Sequence, residues 1–357
     1  MMNGCSAALG LVSLLVACGG RTGLLEGSAG VGFSAGASGI GGGDSGNGGN
    51  AGQLATACRV RSMSEFALAS TKHAAGRMAL GPDGNIWFVE EDGNNIGRIT
   101  AAGAITEFSI PTAGSAPTDI TMGVDNNLWF TEIDVGRVGR ITVAGQITEF
   151  QTAEWDSFPY GIAAGPEQSL WFAELNGHRI ARITTDGAIS EFGISGTSAV
   201  VPSAIAAGPD GNLWFTGATA GKAHVGRMTT TGSYSDFRLP SVDSAPGWIT
   251  VGSDGNLWFA EWQQAVLGRM SVQGALTELP ISDAAYDIAL GPDDKLWFTE
   301  RSAGKISCMT TAGAVSEFSV PTADAAPAGI VGGLDGDVWF TERTLNEAKI
   351  ARITLEP

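Results

Sequence analysis

Positive charge is what this 357-residue chain has least of: 20 Lys and Arg stand against 37 Asp and Glu, a formal charge of −17. That excludes a nucleic-acid partner, because a phosphate backbone needs a basic face and no Lys/Arg cluster exists to form one. Histidine is almost missing too. His73, His178 and His224 show no metal-ligand spacing and read as solvated loop residues. No Gly-x-Ser-x-Gly, His-Glu-x-x-His or phosphate-loop pattern is present, which removes the common hydrolase and nucleotide chemistries. Long helical periodicities are lacking, and only 16% of residues are charged, whereas glycine reaches 52. Cations and neutral molecules remain the better ligand candidates.

What the chain does have is a repeat. Gly208-Pro209-Asp210-Gly211-Asn212-Leu213-Trp214-Phe215 returns with small edits, its Trp-Phe pair standing at 87, 129, 171, 214, 258, 297 and 339. A period of about 42 residues suits one small four-stranded sheet and is too short for a self-sufficient domain, so seven copies imply one closed array. Each copy reads as an inner strand such as Pro159–Ala164, a tight Gly-Pro-Asp-Gly-Asn turn, a Leu-Trp-Phe-Thr-Glu strand and an Ile-Gly-Arg-Ile-Thr strand. A Thr-x-x-Gly turn and an outer strand such as Ile105-Thr106-Glu107-Phe108 complete it. The expected fold is therefore an all-β, seven-bladed propeller of four-stranded antiparallel blades. The outer-strand signature lacks its seventh copy at the C-terminus and carries it instead at Met63-Ser64-Glu65-Phe66. The N-terminal strand should complete the last blade, which removes two unpaired edges at once.

The domain plan follows from composition. Residues 1–18 resemble a lipoprotein signal ending in Leu15-Val16-Ala17-Cys18, with Cys18 as the lipidated residue, although residues 1–6 lack Lys and Arg. The apolar run is too short to span a bilayer. Residues 19–57 are a Gly/Ser/Ala tether with a reach of roughly 35 Å, and residues 58–357 are the propeller. An exported protein, anchored to the cell envelope by lipid alone, is expected; Gly19-Gly20 after Cys18 favours the outer membrane or periplasm. A monomer is expected. Two cysteines remain in the mature chain, Cys58 and Cys308, and Cys308 stands where other repeats have Arg. They are either a disulfide or two unrelated thiols.

Short uniform turns share one face of such a ring, and the variable loops after the second and fourth strands share the other, where binding is expected. The Glu closing each Trp-Phe strand (Glu90, Glu132, Glu174, Glu261, Glu300 and Glu342, with Gly217 the exception) admits two readings. It is a carboxylate ring able to hold a divalent cation or work as acid/base, or a blade-building element paired with Arg98, Arg140, Arg182, Arg227, Arg269 or Arg352. Departures from the repeat are more informative. Arg77, Asp119, Tyr160, Trp248, Tyr286 and Asp287 open inner strands, and Trp155, Phe158 and Trp262 lie in the loops above. Asp119, Tyr160, Trp248 and Trp262 are the candidate ligand-binding residues, since aromatics with few polar groups suit a ring-containing or cyclic small-molecule or peptide-like ligand.

The repeated Gly-Pro-Asp-Gly-Asn-Leu-Trp-Phe-Thr-Glu, Gly-Arg-Ile-Thr and Gly-x-Ile-Thr-Glu-Phe elements resemble the streptogramin B lyase (virginiamycin B lyase) family over about residues 60–357. That resemblance implies a seven-bladed propeller opening a cyclic depsipeptide at its ester by magnesium-dependent elimination. Its catalytic histidines, in Pro-His-Gly/Ala-Ile motifs opening the last two inner strands, correspond here to Tyr286 and Ala328. The Glu before the second motif corresponds to Ala326, and only Glu342 matches the late carboxylate. Three functions stay open. The first is a ligand- or partner-binding propeller without the family reaction. The second is a lyase using Tyr286, Asp287 and Glu342 as catalytic residues with magnesium; the third is a lactonase-like hydrolase holding calcium or magnesium.

Overall fold

A tight turn and a tryptophan build every blade of this protein, and in six of the seven an arginine faces the tryptophan across the strand pair. The computed structural model describes residues 58–68, 74–194, 200–219, 222–240, 244–344 and 347–356. The signal, the tether, Cys18 and His73 lie outside them. Seven antiparallel four-stranded sheets form a propeller ring. Blade 1 is Ala75–Leu80, Ile86–Glu90, Asn95–Ile99 and Ile105–Ser109, and blade 2 is Pro117–Met122, Leu128–Glu132, Arg137–Ile141 and Ile147–Gln151. Blade 3 begins with Pro159–Ala164, blade 4 with Val201–Ala207, blade 5 with Pro246–Val251 and blade 6 with the short strand Ile288–Leu290. Blade 7 is Ala326–Gly332, Val338–Arg343 and Ala348–Leu355, completed by the N-terminal strand Val60–Ala67. Among the described residues no helix is long and apolar enough to cross a membrane.

The turn aspartate does more than turn the chain. It accepts the indole N–H of its own blade's tryptophan, at 3.0 Å for Asp83–Trp87, Asp125–Trp129, Asp210–Trp214 and Asp254–Trp258. A buried indole donor is thus satisfied. Burial pushes these carboxyls up, but the indole, the Asn two residues on and the backbone amides hold them below the usual range. Blade 3 has Glu167 in that place. The longer side chain turns to Arg182 at 2.7 Å, and the Trp171 indole N–H has no acceptor.

Six of the seven tryptophans stack on an outer-strand Phe, as in Trp87–Phe108 at 5.5 Å and, across the ring closure, Phe66–Trp339 at 5.8 Å, whereas blade 5 has Leu279 in that place. All seven are essentially fully buried, and their truncation to Ala is each worth about 3–5 kcal/mol. The repeat arginine lies over this pair, 5.3 Å from the Trp87 ring for Arg98 and 5.4 Å from the Trp339 ring for Arg352. From there it donates to the next blade's third turn: Arg98 to the Val143 carbonyl at 2.9 Å, Arg140 to Thr185 at 2.9 Å, and Arg352 to Ala101 at 2.9 Å. These arginines therefore clamp blade to blade. The expected alternative, a partnership with the strand-ending Glu, does not occur. Trp and Glu are three residues apart on one strand and so point to opposite faces.

Blade 6 has no such arginine, and blade 7 has no such turn, because both chain ends meet there. Cys308 of blade 6 is instead disulfide-bonded to Cys58, just before the closing strand, with their Cα atoms 6.2 Å apart and 250 residues between them in sequence. A covalent link thus stands where six other blades have a guanidinium.

Candidate functional site

A bulge re-aims the inner strands at the ring's mouth. In six blades the pairing register slips over two residues near the strand start, as between Ala75 and Met78, Pro117 and Ile120, and Pro246 and Ile249. The slipped positions are Gly76-Arg77, Thr118-Asp119, Tyr160-Gly161, Ser203-Ala204, Gly247-Trp248 and Ala328-Gly329. In blade 6 the matching residues, Tyr286 and Asp287, precede the strand. Second-strand threonines hold these bulges. Thr131 Oγ1 accepts from the Asp119 amide at 3.2 Å and donates to the Tyr160 carbonyl of the next blade at 2.6 Å. Thr299 and Thr341 repeat the arrangement in blades 6 and 7.

Arg77 joins the bulges of three blades. Its Nε donates to Asp119 Oδ1 at 3.1 Å, its Nη1 donates to Asp287, and its guanidinium lies 4.1 Å from the centre of the Trp248 ring. Both aspartates are buried, and each accepts three hydrogen bonds. Asp119 also accepts the Ile120 and Ile162 amides at 2.9 Å, and Asp287 accepts those of Ile288 at 2.7 Å and Ile330 at 2.9 Å. Burial pushes Asp287 up to about 6 although Arg77 pulls it down, and the two aspartates keep Arg77 charged. The bridge sets one guanidinium between two buried carboxyl groups, and burial raises Asp119 too, against the pull of Arg77.

Two aromatic stacks border it. Tyr160 lies against Trp248 and Trp262 against Tyr286, each at 5.4 Å between ring centres. Trp262 also donates to the Tyr286 carbonyl at 2.7 Å, and Arg301 lies 5.2 Å from the Tyr286 ring centre. Gly247 is glycine because a Cβ there would stand 2.0 Å from the Trp262 indole nitrogen. Desolvation, with Tyr286, Glu91 and Asp119 nearby, drives the Tyr160 phenol well above its usual range, so it stays protonated.

Asp119, Tyr160, Trp248 and Trp262 are thus gathered at one mouth, together with Tyr286 and Asp287. Glu342 is elsewhere. It faces the Glu65 and Lys349 side of blade 7, where burial first and Glu65 second raise it to about 7. Its repeat counterparts behave alike: Glu132 is raised to about 8 by burial and Glu149, and Glu174 to about 7 by burial and Glu191. All six strand-ending glutamates are fully buried, and Glu132, Glu174, Glu261, Glu300 and Glu342 each lie near a glutamate of their own blade's outer strand. In blade 4 a Cβ on Gly217 would meet the Val201 carbonyl at 2.6 Å. His224, paired with Gly217, fills the gap with Nδ1 2.8 Å from Asp236 and Nε2 3.1 Å from Thr219. His178 reaches the Val200 carbonyl at 3.2 Å. Sequence reasoning placed Arg77 at the mouth and missed its two aspartate partners, 42 and 210 residues away.

The magnesium that the family resemblance implies finds no matching donor set. The mouth's carboxylates, Asp119 and Asp287, are spent on Arg77 and backbone amides, and the described residues contain no cluster of three or more His, Cys, Asp or Glu able to hold a metal.

A seven-bladed propeller with blade-specific side chains on its inner-strand bulges is a scaffold that presents one working mouth. Comparison narrows the class. The chain matches the model of the virginiamycin B lyase family over residues 61–288 and 285–357 and belongs to that family. It is similar to a streptogramin B lyase structure, with 32% identity, a TM-score of 0.76, and coverage of 83% of this chain and 98% of that one. It is likewise similar to a catalytically inactive histidine-to-alanine variant of virginiamycin B lyase from Staphylococcus aureus with quinupristin, at 34% identity, TM-score 0.76, and 83% and 99% coverage. A gluconolactonase-like structure at 12% identity and TM-score 0.52, covering 84% of this chain and 95% of that one, shares the fold alone. A search of curated proteins returned no match.

Proposed function

We propose that this protein is a binding member of the virginiamycin B lyase family, exported, lipid-anchored through Cys18 and held off the envelope by residues 19–57. It takes a ring-containing, small or cyclic ligand on its variable-loop face and does not open it. The observation that carries this reading is the Arg77 bridge: the acidic groups at the mouth are committed to a guanidinium and to amides. The family's two imidazole positions hold Tyr286 and Ala328, and neither supplies a base near neutral pH. Glu342, in the neighbouring blade 7, is surrounded by Glu65, Thr322 and Lys349. The aromatic stacks of Tyr160–Trp248 and Trp262–Tyr286 supply the binding surface. The Cys58–Cys308 disulfide suits an oxidising compartment outside the cytoplasm.

Incubation with quinupristin and magnesium tests it. Ring opening by elimination leaves the mass unchanged, so the readout is chromatographic retention and proton NMR for a new alkene. Intact antibiotic, with heat of binding by titration calorimetry, is the expected result. An opened ring would overturn the reading in favour of a lyase with a rearranged site.

A further inference from the structure

Three groups at the mouth keep donor capacity. Arg301 stands over Tyr286 with no ion pair among the described residues. The Trp248 indole N–H is buried without an acceptor, and the Tyr160 phenol keeps its proton. The carboxylates, in contrast, each have a guanidinium partner. Asp119 and Asp287 serve Arg77, and Glu91 pairs with Arg343 at 3.3 Å. Three guanidiniums therefore balance three carboxylates at the mouth of a chain whose formal charge is −17. Arg301 is the guanidinium of the three without a carboxylate partner among the described residues, so a negative ligand meets it better than the neutral one that aromatics alone suggest.

We propose that the ligand of this mouth is a planar ring bearing a carboxylate, the ring lying on the partly exposed faces of Trp262 and Tyr286 and the carboxylate held by Arg301. The inference rests on the binding reading above and adds the ligand's charge to it. Arg suits the role because its planar fork meets both oxygens of a carboxylate, and because it already lies over an aromatic ring. A ring without the acid loses that pair and keeps the stacking. Arg301 belongs to the loop after the second strand of blade 6, so it can shift toward a ligand without disturbing the Arg77 bridge.

The test is calorimetric titration of the full chain with 2-naphthoate and with its uncharged twin, 2-naphthamide. The acid is expected to bind at least about tenfold more tightly, as one charge-assisted hydrogen bond requires, and to weaken with added salt. Arg301→Gln should bring the acid down to the amide while leaving amide binding intact, which also shows that the variant is folded. Arg301→Lys should keep part of the preference, and Trp262→Ala should weaken both probes. Equal affinity of the unaltered chain for acid and amide, or a preference that survives Arg301→Gln, would overturn the carboxylate inference alone. If neither probe binds, the ring-binding reading falls with it.

Discussion

Replacing Arg77 by Met removes the one positive charge between two buried carboxylates while keeping most of the stem's volume. Asp119 and Asp287 retain their four backbone amide bonds but lose the guanidinium, and removing one partner of a buried ion pair costs about 3–5 kcal/mol. For a ring of about 300 residues, with unfolding entropy of about 2.1 cal/mol/K per residue, that is a fall of roughly 5 to 8 °C in melting temperature at pH 7.5. The sign of the pH dependence is fixed too. Asp287 already sits at about 6, above its unfolded value of 3.8, so its contribution is fully present below pH 3.8 and lost as pH rises through 6. Without Arg77, which pulls it down, its value rises further, and the variant should recover much of its deficit as pH falls from 7.5 to 5. Urea unfolding followed by tryptophan fluorescence at both pH values measures this. The triple change Arg77→Met, Asp119→Asn, Asp287→Asn should be milder than Arg77→Met alone, because no unpaired charge remains. A deficit under about 1 kcal/mol at pH 7.5, or one that deepens in acid, would refute the reasoning.

Other outcomes follow from the same geometry. Glu132 at about 8 and Glu174 and Glu342 at about 7 all stand above 4.5, so the stability they add is complete below pH 4.5 and lost as pH rises through 7 to 8. The turn aspartates run the other way, their contribution being lost as pH falls below their lowered values; thermal melts should peak near pH 5 and decline toward pH 8.5. Reducing Cys58–Cys308, or changing both to Ser, should cost about 2–4 kcal/mol, read as a lower melting temperature that dithiothreitol does not depress further in the double variant. Glu167→Asp with Gln168→Gly should rebuild the blade 3 turn, give the Trp171 indole its acceptor and raise stability by about 0.5–1.5 kcal/mol in urea titrations. Cys18→Ser should release the protein from membranes to the soluble fraction of fractionated cells, whereas continued sedimentation with them would reject the lipid anchor.

The ring was legible in the letters because each blade repeats its tryptophan and because the missing outer strand is written at Met63–Phe66, which pairs with Ile350–Ile353. The arginine clamp was half legible. Its partner across the strand, Trp87 for Arg98, is a matter of register, and the three-residue offset from Trp87 to Glu90 already puts the glutamate on the opposite face. The mouth was legible as a place, since Arg77, Asp119, Trp248 and Asp287 occupy one position of the repeat. Their partnership was not, because Arg77 meets Asp287 across a sequence distance of 210 residues that only ring closure makes short. Nor could the letters show that His224 fills the place left by Gly217, a compensation made between neighbouring strands.

A crystal grown with magnesium and quinupristin addresses the central claim most directly. The account expects Arg77 between Asp119 and Asp287, with an unopened ligand resting above it on the Trp248 and Trp262 stacks. Density for a cation held by Asp119 and Asp287, with Arg77 swung aside, would contradict it.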